Sequence, residues 1–352
     1  MKKGLTRNER RVLYGLVKYP ALNDRKLSEK TKVKHSTITA IRRRLHQAGY
    51  FKTVKIPAVN RLGYELTVMG YGRYNPSASR DLRNRFVDAL KKENEGLYYL
   101  LMSPDFYFFV SAARNYTSSR RWLETLEFSF AGTKLFGNSD RTSVIFPFEI
   151  TKQVRFFDFS RALGMLFDID ERVKSDAPFP KVDVRRLTKK EKGVLKGLVE
   201  HPELTDVALS EKIDASRQVI SSMKKKFERS GLIRTTRVVD LQMLGYEIYV
   251  LAHVKFHPQA PLKIRSEGTQ GTTQRAPQFL NFCGNTETVL CAAFGNYDEF
   301  FKTRKELLSF YADREFIVEE PRLELIALSE TEIPVNCDFS SLIREAVDTL
   351  PK

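Results

Sequence analysis

The sequence predicts an α+β protein of two similar halves, each a winged helix-turn-helix followed by a ferredoxin-like βαββαβ domain. Three observations predict it. Residues 5–68 match residues 187–250 at a constant offset of 182 with no gap, LTRNERRVLYGLVKYPALNDRKLSEKT against LTKKEKGVLKGLVEHPELTDVALSEKI and LGYELTV against LGYEIYV. In each copy, three short helical patterns precede a strand-like stretch. Beyond that point apolar strands alternate with amphipathic helices. The expected segments are a first winged helix-turn-helix (1–61), a first ferredoxin-like domain (62–170), a linker (171–186), a second winged helix-turn-helix (187–243) and a second ferredoxin-like domain (244–352). The period is domain-sized, so the chain reads as a built-in dimer.

Each element follows from local pattern. Val12, Leu13, Leu16 and Val17 recur at helical spacing over 6–19. Thr6 with Glu9, and Thr188 with Glu191, form capping boxes at the helix starts. Pro20 and Pro202 stop these helices. Asp24 and Asp206 suit the N-caps of short second helices. The third helices run over 35–48 and 217–230, with Gly49 and Gly231 suited to their C-terminal turns. The alternation over 50–59 suggests a small hairpin, the wing. Strands are then expected over 64–74, Leu97–Met102, Phe106–Ala113 and 143–150, with helices over 79–93 and 118–130. The second half repeats the order with a strand at 246–256, a hairpin over 279–294 turning at Gly284-Asn285, a helix at 298–311 and a strand at 322–328. Its segment 259–278 (QAPLKIRSEGTQGTTQRAPQ) is rich in Gly, Thr and Gln, which disfavours helix and predicts an irregular loop. Both halves end alike, in DFSRALGML (158–166) and DFSSLIREA (338–346).

Composition narrows the partners. The chain has 352 residues, 42% of them hydrophobic, and a formal net charge of +16. Residues 1–60 carry 16 Lys/Arg against 3 Asp/Glu, a net of +13, whereas 187–242 carry 12 against 8, a net of +4. A basic excess on a small domain is the footprint of phosphate binding. The 3 cysteines, Cys283, Cys291 and Cys337, argue against a disulfide framework. The start Met1-Lys2-Lys3 runs into a charged amphipathic helix, and no apolar run is long enough to span a bilayer, so a cytoplasmic protein is expected.

The third helices carry the functional pattern. In the first, Ile38, Ile41 and Leu45 share an inward face, which leaves His35, Ser36, Thr37, Thr39 and Arg43 outward, with Arg42 and Arg44 beside them. In the second, Ile220, Met223 and Phe227 point inward; Arg217, Gln218, Ser221, Ser222 and Lys225 point out, flanked by Lys224 and Lys226. Short polar groups at a helix start with cations behind them suit major-groove docking. Arg43 suits guanine and Gln218 adenine. Lys52, Lys55, Arg234 and Arg237 on the following strands suit phosphates. The two reading faces differ, so an imperfect palindrome of double-stranded DNA is the expected target.

At these residues each half resembles a protomer of the Lrp/AsnC (feast/famine) transcription regulators. The resemblance lies in Leu5, Leu13 and Leu187, Leu195 of the first helices, Leu27-Ser28-Glu29 and Leu209-Ser210-Glu211 of the second, Arg43-Arg44-Leu45 with Gly49, and Leu62-Gly63-Tyr64. It implies transcription regulation and a dimerising second domain with room for a small-molecule effector, of identity unknown. Two positions depart from that family. Its helix-turn-helix Gly is Lys32 or Asp214 here. Its Gly-x-Tyr/Phe-Asp effector motif reads Ser103-Pro104-Asp105-Phe106 and Gly284-Asn285-Thr286-Glu287.

No catalytic set, cofactor or metal site is expected. The five histidines, His35, His46, His201, His253 and His257, show no metal-ligand spacing with cysteine. The chain therefore reads as a regulator and not an enzyme. Two alternatives stand beside it. Siroheme decarboxylases are similar in architecture, but their hairpin carries a His-Asn-Tyr-x-Arg motif, and 98–115 and 279–297 contain no His. A non-specific architectural DNA binder would need the charge but not the distinct reading faces.

Overall fold

The computed structural model describes residues 4–136, 141–169, 186–315 and 317–350. The expected linker lies outside them apart from Arg186. In the first half, α1 (Arg7–Lys18), α2 (Asp24–Thr31) and α3 (His35–Gln47) lead to β1 (Phe51–Pro57). Then follow β2 (Leu66–Arg73), α4 (Arg80–Glu93), β3 (Leu97–Met102), β4 (Phe106–Ala113), α5 (Tyr116–Phe130), β5 (Thr142–Pro147), β6 (Lys152–Phe156) and α6 (Ser160–Leu166). The second half runs α7 (Lys189–Glu200), α8 (Asp206–Ser210), α9 (Arg217–Arg229) and β7 (Ile233–Val239). It continues with β8 (Ile248–Lys255), α10 (Leu262–Arg275), β9 (Gln278–Cys283), β10 (Glu287–Phe294), α11 (Tyr297–Ala312), β11 (Arg322–Ala327), β12 (Glu332–Asn336) and α12 (Ser340–Thr349).

The chain folds as two compact units, and each draws on both halves of the sequence. The described residues of 1–53, 152–178 and 235–329 make the first unit, and those of 54–151, 179–234 and 330–350 the second. The first unit holds α1–α3 and an antiparallel sheet ordered β11-β8-β10-β9-β6. Its edge strand β6 comes from the tail of the first half, with Lys152 opposite Cys283 and Phe156 opposite Leu280. The second unit holds α7–α9 and a sheet ordered β12-β3-β4-β2-β5. Its edge strand β12 comes from the tail of the second half, with Glu332 opposite Met102 and Asn336 opposite Tyr99. A tyrosine fixes each exchanged tail. Tyr246 Oη donates to Ala162 O at 2.7 Å in the first unit, and Tyr64 Oη donates to Leu342 O at 3.2 Å in the second.

The helical cores form for the expected reasons. Both capping boxes are present: the Thr6 N–H donates to Glu9 Oε2 at 2.6 Å and the Thr188 N–H to Glu191 Oε2 at 2.9 Å. Val12, Leu13, Leu16, Val17, Ile38, Ile41 and Leu45 are buried, as are Ile220 and Phe227. Met223 is only half-buried. Gly15 lets α1 and α2 touch, since a Cβ there would lie 2.5 Å from Thr31 Cγ2. Lys32 adopts the left-handed turn conformation usually left to glycine, with φ 56°, whereas Asp214 stays outside it.

Three expectations are corrected. The wing is no hairpin: β1 is a single strand that pairs with β7. The Asp240 N–H donates to Tyr50 O in the first unit, and the Ala58 N–H to Leu232 O in the second. The second helices are capped one residue earlier than expected, by Asn23 and Thr205. The segment expected as a loop is helix α10. Tertiary packing overrides propensity there. Gly271 lets the Phe310 ring of α11 lie against the helix, where a Cβ would come 2.3 Å from Phe310 Cζ. Thr269, Thr272 and Thr273 turn their hydroxyls back onto carbonyls four residues earlier.

Candidate nucleic-acid interface

The two third helices brace their flanking cations in the same way. On α3, Arg42 Nη1 lies 2.8 Å from Asp24 Oδ1 of α2, and Arg44 pairs with Glu9 of α1. On α9, Lys224 Nζ lies 3.1 Å from Asp206 Oδ1 of α8, and Lys226 Nζ lies 2.6 Å from Glu191 Oε1 of α7. The carboxylates are those of the capping boxes and of the second helices' first turns. Lys226 above all holds the Glu191 carboxyl below its ordinary range, against a smaller opposing effect of burial. The middle cations, Arg43 and Lys225, are exposed and have no ion-pair partner among the described residues.

This bracing changes the part that flanking cations play. Arg42 and Arg44, expected to hold phosphates, already meet carboxylates, as does Lys224. Their side chains remain 40%, 60% and 32% exposed. Pairs that open to water are worth only about 0.2–1 kcal/mol each, so a phosphate can compete for them. The Thr39 hydroxyl donates to Asp24 Oδ2 at 2.7 Å, which leaves its lone pairs as the groups free to face a ligand.

His35 and Ser36 are exposed at the start of α3, and Thr37 is half-buried. On α9, Arg217, Gln218 and Ser222 are exposed and Ser221 is half-buried. Arg217, Gln218, Ser221, Ser222 and Lys225 line one open depression of about 1060 Å³ along the helix. The structure thus gathers the outward residues of α9 on a single surface of the second unit.

The strand cations divide cleanly, and two expectations fail. Lys52 is half-buried and Arg234 exposed. Lys55 is 5% exposed and Arg237 8%. Lys55 Nζ pairs with Glu228 Oε1 at 3.0 Å, and burial pulls its pKa down despite that partner. Arg237 donates to Leu16 O at 2.8 Å and Pro20 O at 3.0 Å, at the end of α1, and burial lowers its pKa to about 10. The physical reason is the two-residue period of a strand: side chains three apart point to opposite faces. Lys52 and Lys55 therefore cannot share one surface, nor can Arg234 and Arg237. Lys55 and Arg237 serve the core and do not reach phosphates. Period counting on the strands alone splits each pair between two faces, but the buried member of each is set by tertiary partners.

His253 and His257 are held locally. His253 Nε2 lies 2.7 Å from Glu287 Oε2, and the Gln259 N–H donates to His257 Nδ1. No group of three His, Cys, Asp or Glu suited to a metal occurs among the described residues. The three cysteines are free thiols, and burial pushes Cys291 up to about 12. Asn296 caps α11. No helix among the described residues is long and apolar enough to cross a membrane.

No protein-family model and no curated protein matches the sequence. The fold has full-length counterparts among solved structures. The siroheme decarboxylase NirDL superposes with a TM-score of 0.51 and 11% identity over 98% of this chain and 99% of that one. Its co-complex with an iron-uroporphyrin III analogue gives 0.53 and 10%, over 98% and 100%. An AsnC family transcriptional regulator from Agrobacterium tumefaciens matches 40% of this chain and 90% of its own, with 15% identity and a TM-score of 0.33. At such identities the likeness is one of fold. The expectation that the chain is not an enzyme is corrected all the same, because the counterparts that match it end to end are structures of an enzyme.

Proposed function

We propose that this chain is a double-stranded-DNA-binding regulator that carries two recognition helices, α3 and α9, on one polypeptide. One observation carries the reading: in both helices the middle cation of a basic triplet stands exposed while its neighbours are braced to the helices behind. The flanking cations turn toward the helices behind, which leaves Arg43 or Lys225 to face a base edge. In this reading His35, Ser36, Thr37, Thr39 and Arg43 face one half-site. Arg217, Gln218, Ser221, Ser222 and Lys225 face the other. Arg42, Arg44, Lys52, Lys224 and Arg234 hold phosphates. One chain carries two DNA-binding and two ferredoxin-like domains, the latter exchanging their C-terminal tails, and the site read is asymmetric or imperfectly palindromic. Selection of bound duplexes from a random pool tests this. An asymmetric pair of half-sites is expected, with affinity falling steeply as salt rises. Salt-insensitive binding, or none, overturns it, and salt-sensitive binding without a motif points instead to an architectural role.

A second reading rests on the end-to-end fold match: an enzyme acting on a tetrapyrrole, as NirDL does on siroheme. Absorbance titration with siroheme, followed by the mass of any product, tests it. A shifted spectrum with loss of carboxyl mass supports this reading, and an unchanged spectrum removes it.

A further inference from the structure

We propose that the first unit contains a binding site for a small, uncharged, apolar molecule, set between its sheet and the helices α10 and α11. A cavity of about 60 Å³ lies there. Val250, Ala252, Leu290 and Ala292 of the sheet form its floor, and Thr272 and Leu307 of the helices are among the residues that roof it. The apolar core of this unit is divided accordingly. One buried cluster gathers Val250, Ala252, Leu290 and Phe300, and a separate one gathers Val254, Phe256 and Tyr311.

The second unit shows what fills the same layer when no cavity is kept. Its core is one continuous cluster that includes Phe86, Leu90, Phe109 and Trp122, with the Phe109 and Trp122 rings 5.6 Å apart. Counting along the matching elements pairs these residues with much smaller ones. The seventh residue of α4 is Phe86 and of α10 Gly268; the eleventh is Leu90 and Thr272. The seventh residue of α5 is Trp122 and of α11 Thr303; the fourth of β4 is Phe109 and of β10 Leu290. Ala252 and Val254, which stand where the second unit has Gly70 and Gly72, and Phe300, which stands where it has Ser119, return part of that volume.

The wall chemistry selects the ligand. Thr272 Oγ1 and Tyr311 Oη are 2.6 Å apart and satisfy each other, and Thr272 also bonds to Gly268 O. Arg304, at the margin, pairs with Glu320. A charged or zwitterionic ligand, such as an amino acid, would thus be buried without a partner, which is costly. Apolar cavities of this kind stay dry and take up apolar guests, and a cavity of about 150 Å³ accepts benzene or xenon. This one suits a guest of only a few heavy atoms. Thr303, Leu307, Leu308 and Leu323 are half-buried, so α11 and β11 form the side open to entry. The site does not depend on the DNA-binding reading.

Xenon-pressurised crystals of the full chain, together with methyl NMR during addition of dissolved cyclopropane, test the proposal. We expect one xenon peak between Ala252, Leu290 and Leu307, and saturable shifts confined to the methyls of Val250, Leu290, Leu307 and Leu323. Leu290→Phe and Thr303→Trp, which install the residues of the second unit, should each abolish the peak and weaken the titration at least tenfold. Ala292→Val serves as a milder filler should either of these fail to fold. Absence of both the peak and the shifts overturns the proposal and leaves a packing void, as does xenon uptake that the filling variants do not diminish.

Discussion

Lys226 Nζ lies 2.6 Å from Glu191 Oε1, so the carboxylate that closes the capping box of α7 also braces α9. The equivalent pair in the first half is Arg44 with Glu9. One residue thus caps the start of α7 and joins it to α9. The cap accepts Glu or Gln at this position, whereas the ion pair needs the charged carboxylate.

The pH dependence follows from that charge. The Glu191 carboxyl titrates below its ordinary value of 4.5 in the folded chain. A depressed carboxyl contributes stability above the unfolded pKa and loses it as pH falls through the folded pKa. Thermal stability should therefore drop as pH falls below about 4.5, and Glu191→Gln should flatten that part of the profile. Thr188→Ala should cost about 0.5–2 kcal/mol at neutral pH by removing the cap. Denaturant melts at several pH values check both, and a Glu191→Gln profile parallel to the parent's would refute the assignment.

Arg43→Ala should leave folding intact, because Arg43 is exposed and unpaired among the described residues. If it reads a base, binding to the selected duplex weakens by roughly 1–3 kcal/mol while affinity for random duplex changes little. Competition titrations at fixed salt measure this. Equal loss on both duplexes would reassign Arg43 to phosphate.

Lys52 and Lys55 should separate. Lys52→Ala is expected to lower the salt slope of DNA binding by about one contact. Lys55→Ala removes the buried Lys55–Glu228 pair and should cost stability, about 1–3 kcal/mol, with the salt slope unchanged. Urea melts and binding at several salt concentrations distinguish the two, and a salt effect from Lys55→Ala would put that side chain back at the surface.

Gly271→Ala should destabilise the first unit by roughly 1–3 kcal/mol through overpacking. The added Cβ would meet the Phe310 ring at 2.3 Å. Gly193→Ala, where a Cβ meets nothing within 4 Å, should be neutral or slightly stabilising. Denaturation midpoints of the two variants provide the comparison, and equal midpoints would contradict the packing account.

What the sequence determined by itself is local. The capping boxes at Thr6 and Thr188, the inward faces of α1, α3 and α9, and β3 and β4 to the residue all follow from spacing and turn chemistry that act within a few positions. The outward triplets were visible for the same reason. Tertiary structure decided the rest, because the deciding partners lie far along the chain. Strands β6 and β12 complete sheets begun in the other half. Lys55 is drawn inward by Glu228, 173 positions away. Segment 262–275 becomes helix because Phe310 packs on Gly271, and the cavity beneath it exists only once two helices and a sheet have met. Periodicity assigns a residue to a face, but which surface then covers that face is settled by contacts that no local window contains.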